Sequence, residues 1–354
     1  MLIKKDKTIV SQLYEGFIKL QHWISNRSAK MPMMQMSLTQ QAVVWAYRLF
    51  LDREPENREV VYDKVRRLTN SHELRQEIMH SDEFKRKNQA FHAPALSGDE
   101  PRMLIEDLHS ESDLQALFKH IQETWQYLGE TEPYWSVATL ERFKQSNIHH
   151  TKEIFYNSGK QDVIRFFRTL DRNGIDYTSF KSCLEYGCGL GRVTRWLSEQ
   201  FEKVFGYDIS RLHLQIAENY LAQVGIHNVM LYNIKQVNDI NNLPRVDCIY
   251  SILTLQHNPP SIISLIIKEF IKSLNSGGVA FFQVPTYQLG YTFSLREYLN
   301  DNATRLEMEM HVLPQSKVFD IVSQEGGKII EVSEDNLIGF HYKNVSNTFL
   351  VQKA

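Results

Sequence analysis

From residue 181 onward the chain settles into one rhythm, and that rhythm limits its possible folds more than any other feature. KSCLEYG (181–187), VFGYD (204–208), NVMLYN (228–233), VDCIYS (246–251) and GVAFFQVP (278–285) are short apolar runs. The stretches between them are long enough for helices. Such alternation predicts βαβ units and a parallel sheet covered on both faces. Two further candidates, KIIEV (328–332) and SNTFLVQK (346–353), follow each other with no helix between them. The expectation is an α/β fold with seven strands.

At 354 residues the chain exceeds one average domain. Forty Lys plus Arg against 42 Asp plus Glu leave a formal charge of −2, which excludes a generally basic nucleic-acid coat. No apolar run reaches the roughly 18 residues a membrane span needs. The start, MLIKKDKTIV, has lysines but no apolar core or cleavage site of the secretory kind. Cys183, Cys188 and Cys248 match no zinc spacing and suit a reducing compartment. A cytoplasmic protein is expected, with contact at the inner membrane face left open by its N-terminus.

That N-terminus, residues 1–36, carries Val10, Leu13, Phe17, Leu20 and Ile24 at helical spacing and an excess of Lys and Arg. An amphipathic helix is expected, docked on its own protein, paired with a second copy, or laid on an anionic surface. Residues 37–92 read as a compact helical module. One helix is built on Val43, Val44, Tyr47 and Leu51, a break falls at DREPEN (52–57), and two helices are built on Val60, Val61, Val65, Leu68 and on Leu74, Ile78, Phe84. Residues 93–118, with Pro94, Gly98 and Pro101, read as a linker. Residues 119–180 read as a helical cap, leaving 181–354 as the core.

Between the first strand and the helix after it lies Glu185-Tyr186-Gly187-Cys188-Gly189-Leu190-Gly191. Glycines there permit a tight turn and a close approach of backbone to a ligand. Position 192 is Arg, so the loop fails the GxGxxG dinucleotide fingerprint. Asp208 ends the next strand, where a carboxylate at the carboxyl edge of the sheet can accept ribose hydroxyls.

E-x-G-x-G-x-G followed by hydrophobic-G-x-D resembles the first two motifs of class I S-adenosylmethionine-dependent methyltransferases. The resemblance covers about residues 119–354 and implies a seven-stranded Rossmann-like sheet with a reversed last strand. It also implies that Gly187, Gly189 and Gly191 wrap the methionine and ribose of S-adenosylmethionine, with Cys188 inside the loop and Ser251 at the end of the fourth strand beside them. Glu185 supports the loop, Asp208 binds the ribose diol and Ile209 packs on adenine. Asp239, four residues before Leu243-Pro244, matches the family spacing for the adenine amino group, and because the third strand ends without an acid the pair that reads adenine stays open. The helical module, through Tyr47, Arg48, Leu51, Arg53, Pro55, Ser81, Glu83 and Phe84, resembles a bacterial domain distantly like the phycobilisome linker repeat. That domain is found in proteins of surface-polysaccharide metabolism, so a docking module is implied.

Asn258-Pro259-Pro260 differs from the NPPY signature of DNA amino-methyltransferases, because Ser261 follows the prolines and Asn258 lies far past the strand start. His257, just beyond the fourth strand, is the candidate base for a hydroxyl acceptor, acting near an ordinary pKa of about 6.5. Its alternatives are a loop-bracing role and contact with the substrate. Tyr287, Tyr291 and His311 are candidates for the acceptor pocket and Tyr134 with Trp135 for a lid, with core packing as the alternative for each aromatic. No metal is expected. The functional expectation is O-methylation of a glycan or nucleotide-sugar hydroxyl in polysaccharide metabolism. Methylation of another small molecule or a protein, and a scaffold with a relic cofactor site, are the alternatives. A protein partner or self-association is expected through residues 1–92, and no nucleic acid.

Overall fold

The computed structural model describes residues 38–81, 83–84, 96, 98–106, 110–301, 306–335, 337–338 and 344–354. The N-terminal helix expected within 1–36 lies outside them. The chain divides into two compact units, residues 1–93 and 94–354.

In the first unit, helices α1 (Gln40–Leu51), α2 (Arg58–Arg67) and α3 (Ser71–His80) begin at Thr39, Asn57 and Asn70, whose side chains accept from Ala42, Val60 and Glu73 N–H. Each cap satisfies a backbone donor that the first turn leaves open. Val43, Ala46, Tyr47, Leu51, Val61, Leu74 and Ile78 form their shared core. The DREPEN break turns at Asp52 in left-handed backbone, φ 48°. Arg53 then reaches Glu83 at 2.6 Å and lies over the Tyr47 ring. Arg53, Glu83 and Tyr47 therefore tie this unit together, while the resemblance to the phycobilisome linker-like domain is not supported.

The second unit holds the sheet. Strand β1 (Leu104–Ile105) precedes the helices α4 (Glu111–Thr131), α5 (Pro133–Val137) and α6 (Lys152–Arg172). Next come β2 (Ser182–Tyr186), α7 (Thr194–Leu197), β3 (Lys203–Asp208), α8 (Arg211–Gln223), β4 (Val229–Asn233), α9 (Val237–Ile240) and β5 (Val246–Ser251). They are followed by α10 (Pro260–Ser273), β6 (Leu274–Gln288), β7 (Thr292–Phe293), α11 (Leu295–Asp301), α12 (Gln315–Gln324), β8 (Gly327–Asp335) and β9 (Asn344–Lys353). The seven-stranded order is β4-β3-β2-β5-β6-β9-β8, with β2 to β6 parallel and β9 antiparallel to both neighbours. All seven apolar runs are strands, and the reversed last strand is present.

Side chains alternate across a strand, so each strand feeds two cores. Leu184, Ile249, Ala280 and Phe282 face a cluster with Leu117 and Phe118 of α4 and Ile262, Ile266 and Phe270 of α10. Cys183, Cys248, Tyr250, Val279 and Phe281 face Val163, Phe166 and Leu170 of α6. All three cysteines are buried free thiols.

The stretch read as a linker is structured where it is described. Helix α4 starts at Glu111, under a capping box formed by Ser110 and Asp113. Before it, β1 pairs with β7 in parallel, and the Tyr287 hydroxyl donates to the Pro101 carbonyl at 2.9 Å. Residues 101–106 are thus bound to the end of β6 and to β7. No helix among the described residues is long and apolar enough to cross a membrane.

Candidate active site

Strands β2, β3 and β5 end side by side, and the loops beyond them open into a cavity of about 470 Å³. Its floor is the glycine loop. Gly187 N–H and Cys188 N–H both donate to the Tyr207 carbonyl, at 2.7 and 3.1 Å, which folds the loop back over β3. Gly187 has φ 76°, and a Cβ there would lie 2.2 Å from the Thr254 side chain. Only glycine fits both the backbone and the space. Gly189, at φ 52°, has Val137 of α5 3.0 Å from its would-be Cβ. Gly187, Cys188 and Gly189 line the cavity. Gly191 completes the turn against α8 and is not part of the lining.

Asp208 is buried at the end of β3. Its Oδ2 accepts from Gly189 N–H and its Oδ1 from Ser210 N–H, both at 2.8 Å, and it lines the cavity. Burial raises its pKa, opposed by His213 and the backbone N–H donors. Each oxygen keeps a further acceptor position. Glu185 lines the cavity from the end of β2 and accepts from the Thr194 hydroxyl. Burial pushes its pKa up to about 8. Arg192 also reaches the cavity, held by Asp162 at 2.7 Å.

Ile209 lines the cavity beside Ile234, opposite Phe118, Ile121 and Trp125 of α4. These side chains make up an apolar part of the lining. Asp239 lies elsewhere. Its Oδ2 accepts from Lys235 and Gln236 N–H, capping α9, and it is not part of the lining. Ser251 is also outside the lining, buried with its hydroxyl donating to the Tyr186 carbonyl at 3.0 Å.

Beyond β5 the chain makes an abrupt turn. Leu253 takes left-handed backbone at φ 59°, a conformation that costs about 1–3 kcal/mol in a bulky residue. Gln283 Oε1 holds its N–H at 3.1 Å. The turn brings Thr254 over Gly187 and sends Gln256, His257 and Asn258 to the cavity wall. His257 Nδ1 lies 2.7 Å from the Glu309 carbonyl. A carbonyl only accepts, so Nδ1 carries the proton and Nε2 is the basic nitrogen. Nε2 faces the Gln256 amide nitrogen at 3.2 Å. Burial holds the imidazole pKa down to about 4, partly offset by that carbonyl. The limb expected near 6.5 therefore moves well into acid.

The proposed acceptor and lid aromatics fall outside the lining. Tyr134 is buried against Phe155 and Tyr156, and Trp135, its neighbour on α5, is not in the lining either. Ser136 to Thr139, which follow them, are what covers the glycine loop. Tyr287 binds Pro101, as above. Tyr291 and His311 stand one layer behind the wall, the Tyr291 hydroxyl 2.9 Å from His311 Nδ1. His311 N–H donates to the Gln256 carbonyl at 2.6 Å, and its Nε2 faces Glu309 Oε2 at 3.1 Å. Tyr298 donates to the same carboxylate. This cluster fixes residues 308–311, and with them the carbonyl that orients His257. Met308 and Met310 are the side chains that reach the cavity.

Trp125, His213, Thr254, Met308 and Met310 are lining residues that the sequence reading did not single out. For Trp125 a signal existed, since Phe118, Ile121 and Trp125 follow helical spacing. His213 is buried, with Nδ1 unpartnered and Nε2 2.9 Å from the Ser136 hydroxyl. Among the described residues, no group of three or more His, Cys, Asp or Glu is placed to hold a metal.

Bare glycine backbone, a carboxylate at the end of β3 and apolar side chains line one cavity at the carboxyl edge of a Rossmann-like sheet. Residues 152–321 match the family described as methyltransferase domain. That segment carries the methyltransferase domain of an enzyme, and S-adenosylmethionine is the cofactor it uses. No curated protein matches the sequence. Among solved structures, an S-adenosylmethionine-dependent methyltransferase from Clostridium acetobutylicum is similar at 16% identity. That alignment covers 56% of this chain and 92% of that one, with a TM-score of 0.41. Magnesium protoporphyrin IX methyltransferase from Synechocystis, solved with bound S-adenosylhomocysteine, is similar at 14% identity, covering 67% and 100% with a TM-score of 0.47.

Proposed function

We propose that the protein methylates a hydroxyl oxygen of a small molecule, with His257 Nε2 as the base. The observation that carries the reading is the pairing of His257 Nδ1 with the Glu309 carbonyl, which leaves Nε2 as the proton acceptor at the cavity wall. Gly187, Cys188 and Gly189 would hold the methionine end of the cofactor, with Glu185 and Arg192 beside them. Asp208 would hold the ribose, and Ile209, Ile234, Phe118 and Ile121 the adenine.

When bound, S-adenosylmethionine supplies an electrophilic methyl group, which bonds to the acceptor oxygen as the carbon–sulfur bond breaks and its electron pair stays on sulfur. The chain's own part is alignment and proton removal. Thr254 and the Leu253 turn place His257 beside the loop. The acceptor hydroxyl takes the position now filled by the Gln256 amide and gives its proton to Nε2. Helix α4 and residues 136–139 exclude water on the other sides.

A glycan or nucleotide-sugar acceptor was expected from the N-terminal resemblance and from an aromatic pocket. The family match begins at residue 152, and the aromatics named for that pocket stand outside the lining. Neither feature of the site favours a sugar. Residues 37–92 are read as a docking module, and a cytoplasmic setting is part of the same proposal.

The test is to incubate the protein with isotope-labelled S-adenosylmethionine and bacterial extract and to identify the labelled product by nuclear magnetic resonance. A methyl ether is expected. A methyl on nitrogen, sulfur or carbon would overturn the reading.

A further inference from the structure

We infer that the acceptor is an uncharged aromatic compound bearing the reacting hydroxyl, a phenol in chemical class. The inference rests on the hydroxyl-methylation reading above and adds the body that carries the oxygen.

Much of the cavity wall is apolar. Trp125, Ile252, Leu253, Met308, Met310 and Leu337 supply it. A sugar brings several hydroxyls that lose water on entry, and each weakens binding unless a protein group replaces that water. Two polar groups nearby are already engaged. Gln256 Oε1 accepts from Gln283 at 3.1 Å, and Asn258 Nδ2 donates to the Thr254 and Leu255 carbonyls. Among the described lining residues, Arg192 is the single Lys or Arg, and Asp162 holds it. A nucleotide diphosphate finds no unpaired cation there.

The kind of apolar group points further. Met308 and Met310 flank Glu309, whose carbonyl holds His257, and both side chains line the cavity. The Trp125 ring packs against the imidazole, centroids 5.2 Å apart. Thioethers and an indole favour a flat aromatic partner.

Proton chemistry agrees with this. Buried as it is, His257 is a weaker base than an ordinary histidine. Proton transfer is efficient when donor and acceptor are matched. A phenol, with a pKa of about 10, is a far stronger acid than an aliphatic or sugar hydroxyl. Its O–H proton passes to Nε2 and on to solvent as the oxygen takes the methyl.

The test uses the full-length protein saturated with S-adenosylhomocysteine. Calorimetry compares binding of naphthol with binding of methyl glucoside, and naphthol is then offered with labelled S-adenosylmethionine. Naphthol should bind at least about tenfold more tightly than the glucoside and yield methoxynaphthalene. Met310→Gln and Met308→Gln should each weaken naphthol about tenfold and leave S-adenosylhomocysteine affinity within about twofold. Tighter binding of the glucoside, or no binding of either, overturns the phenol assignment and leaves hydroxyl methylation standing. Naphthol that binds as expected but gains no methyl on oxygen contradicts the hydroxyl reading and supports the pocket assignment.

Discussion

Burial moves Glu185 and His257 in opposite senses, and each shift has a measurable sign. The folded Glu185 carboxyl titrates near 8, above its unfolded value, so the folded chain holds that proton more tightly. Its contribution to stability is complete below about pH 4.3 and is lost as pH rises through about 8, at about 1.4 kcal/mol per unit of difference. Denaturation of the cofactor-free protein between pH 5 and 9 should show the fall (about 4 pH units cover the window), and Glu185→Gln should flatten it. Equal slopes would mean the carboxyl is not held protonated. His257 titrates near 4, so its base form is present at neutral pH. Turnover should fall only as pH drops toward about 4, and His257→Ala should lower it about 100-fold, with S-adenosylhomocysteine affinity within about twofold. Full activity in the variant would return His257 to a loop-bracing role. Its position beyond the fourth strand was legible in the sequence. Its basicity was not, because the groups that bury it, Trp125 and residues 308–311, are remote in the chain.

The elements differ in how plainly the sequence announced them. The central strands showed as apolar runs because they are buried on both faces, whereas the edge strands β4 and β8 are half-exposed, and the glycine loop showed because Gly187 tolerates no side chain. The turn after β5 gave no such sign. Leu253 in left-handed backbone and Thr254 packed on Gly187 are tertiary facts, fixed by Gln283 on the neighbouring strand. Gly187→Ala should destabilise the protein by about 2 kcal/mol or more, since the methyl meets Thr254 and φ is unfavourable. Denaturant titration measures this, and a parent-like midpoint would contradict the described packing. Asp239 showed the reverse error, because an acid at a helix start reads equally well as a ligand group or as the cap it forms. Tyr134 and Trp135 were placed in the right segment, but α5 turns its small residues toward the loop.

For the whole molecule, the sheet order and the boundary near residue 93 set what can be removed. A chain starting at Pro94 should fold and bind S-adenosylhomocysteine as the parent does, because the second unit holds both cores. A chain starting at Asp107 loses β1 and the Pro101 contact and should melt several degrees lower, by about 1 kcal/mol of lost pairing. Equal melting temperatures would show that residues 101–106 contribute nothing. The docking role expected for residues 37–92 would then be read from whatever activity the Pro94 chain loses in the cell. The account turns on Asp208 and the glycine loop holding the cofactor, and calorimetry without added metal tests that most directly. The parent should bind S-adenosylmethionine, and Asp208→Ala should bind it about 100-fold more weakly, having lost two charge-assisted hydrogen bonds. Equal affinities, or binding of a nicotinamide dinucleotide in its place, would contradict it.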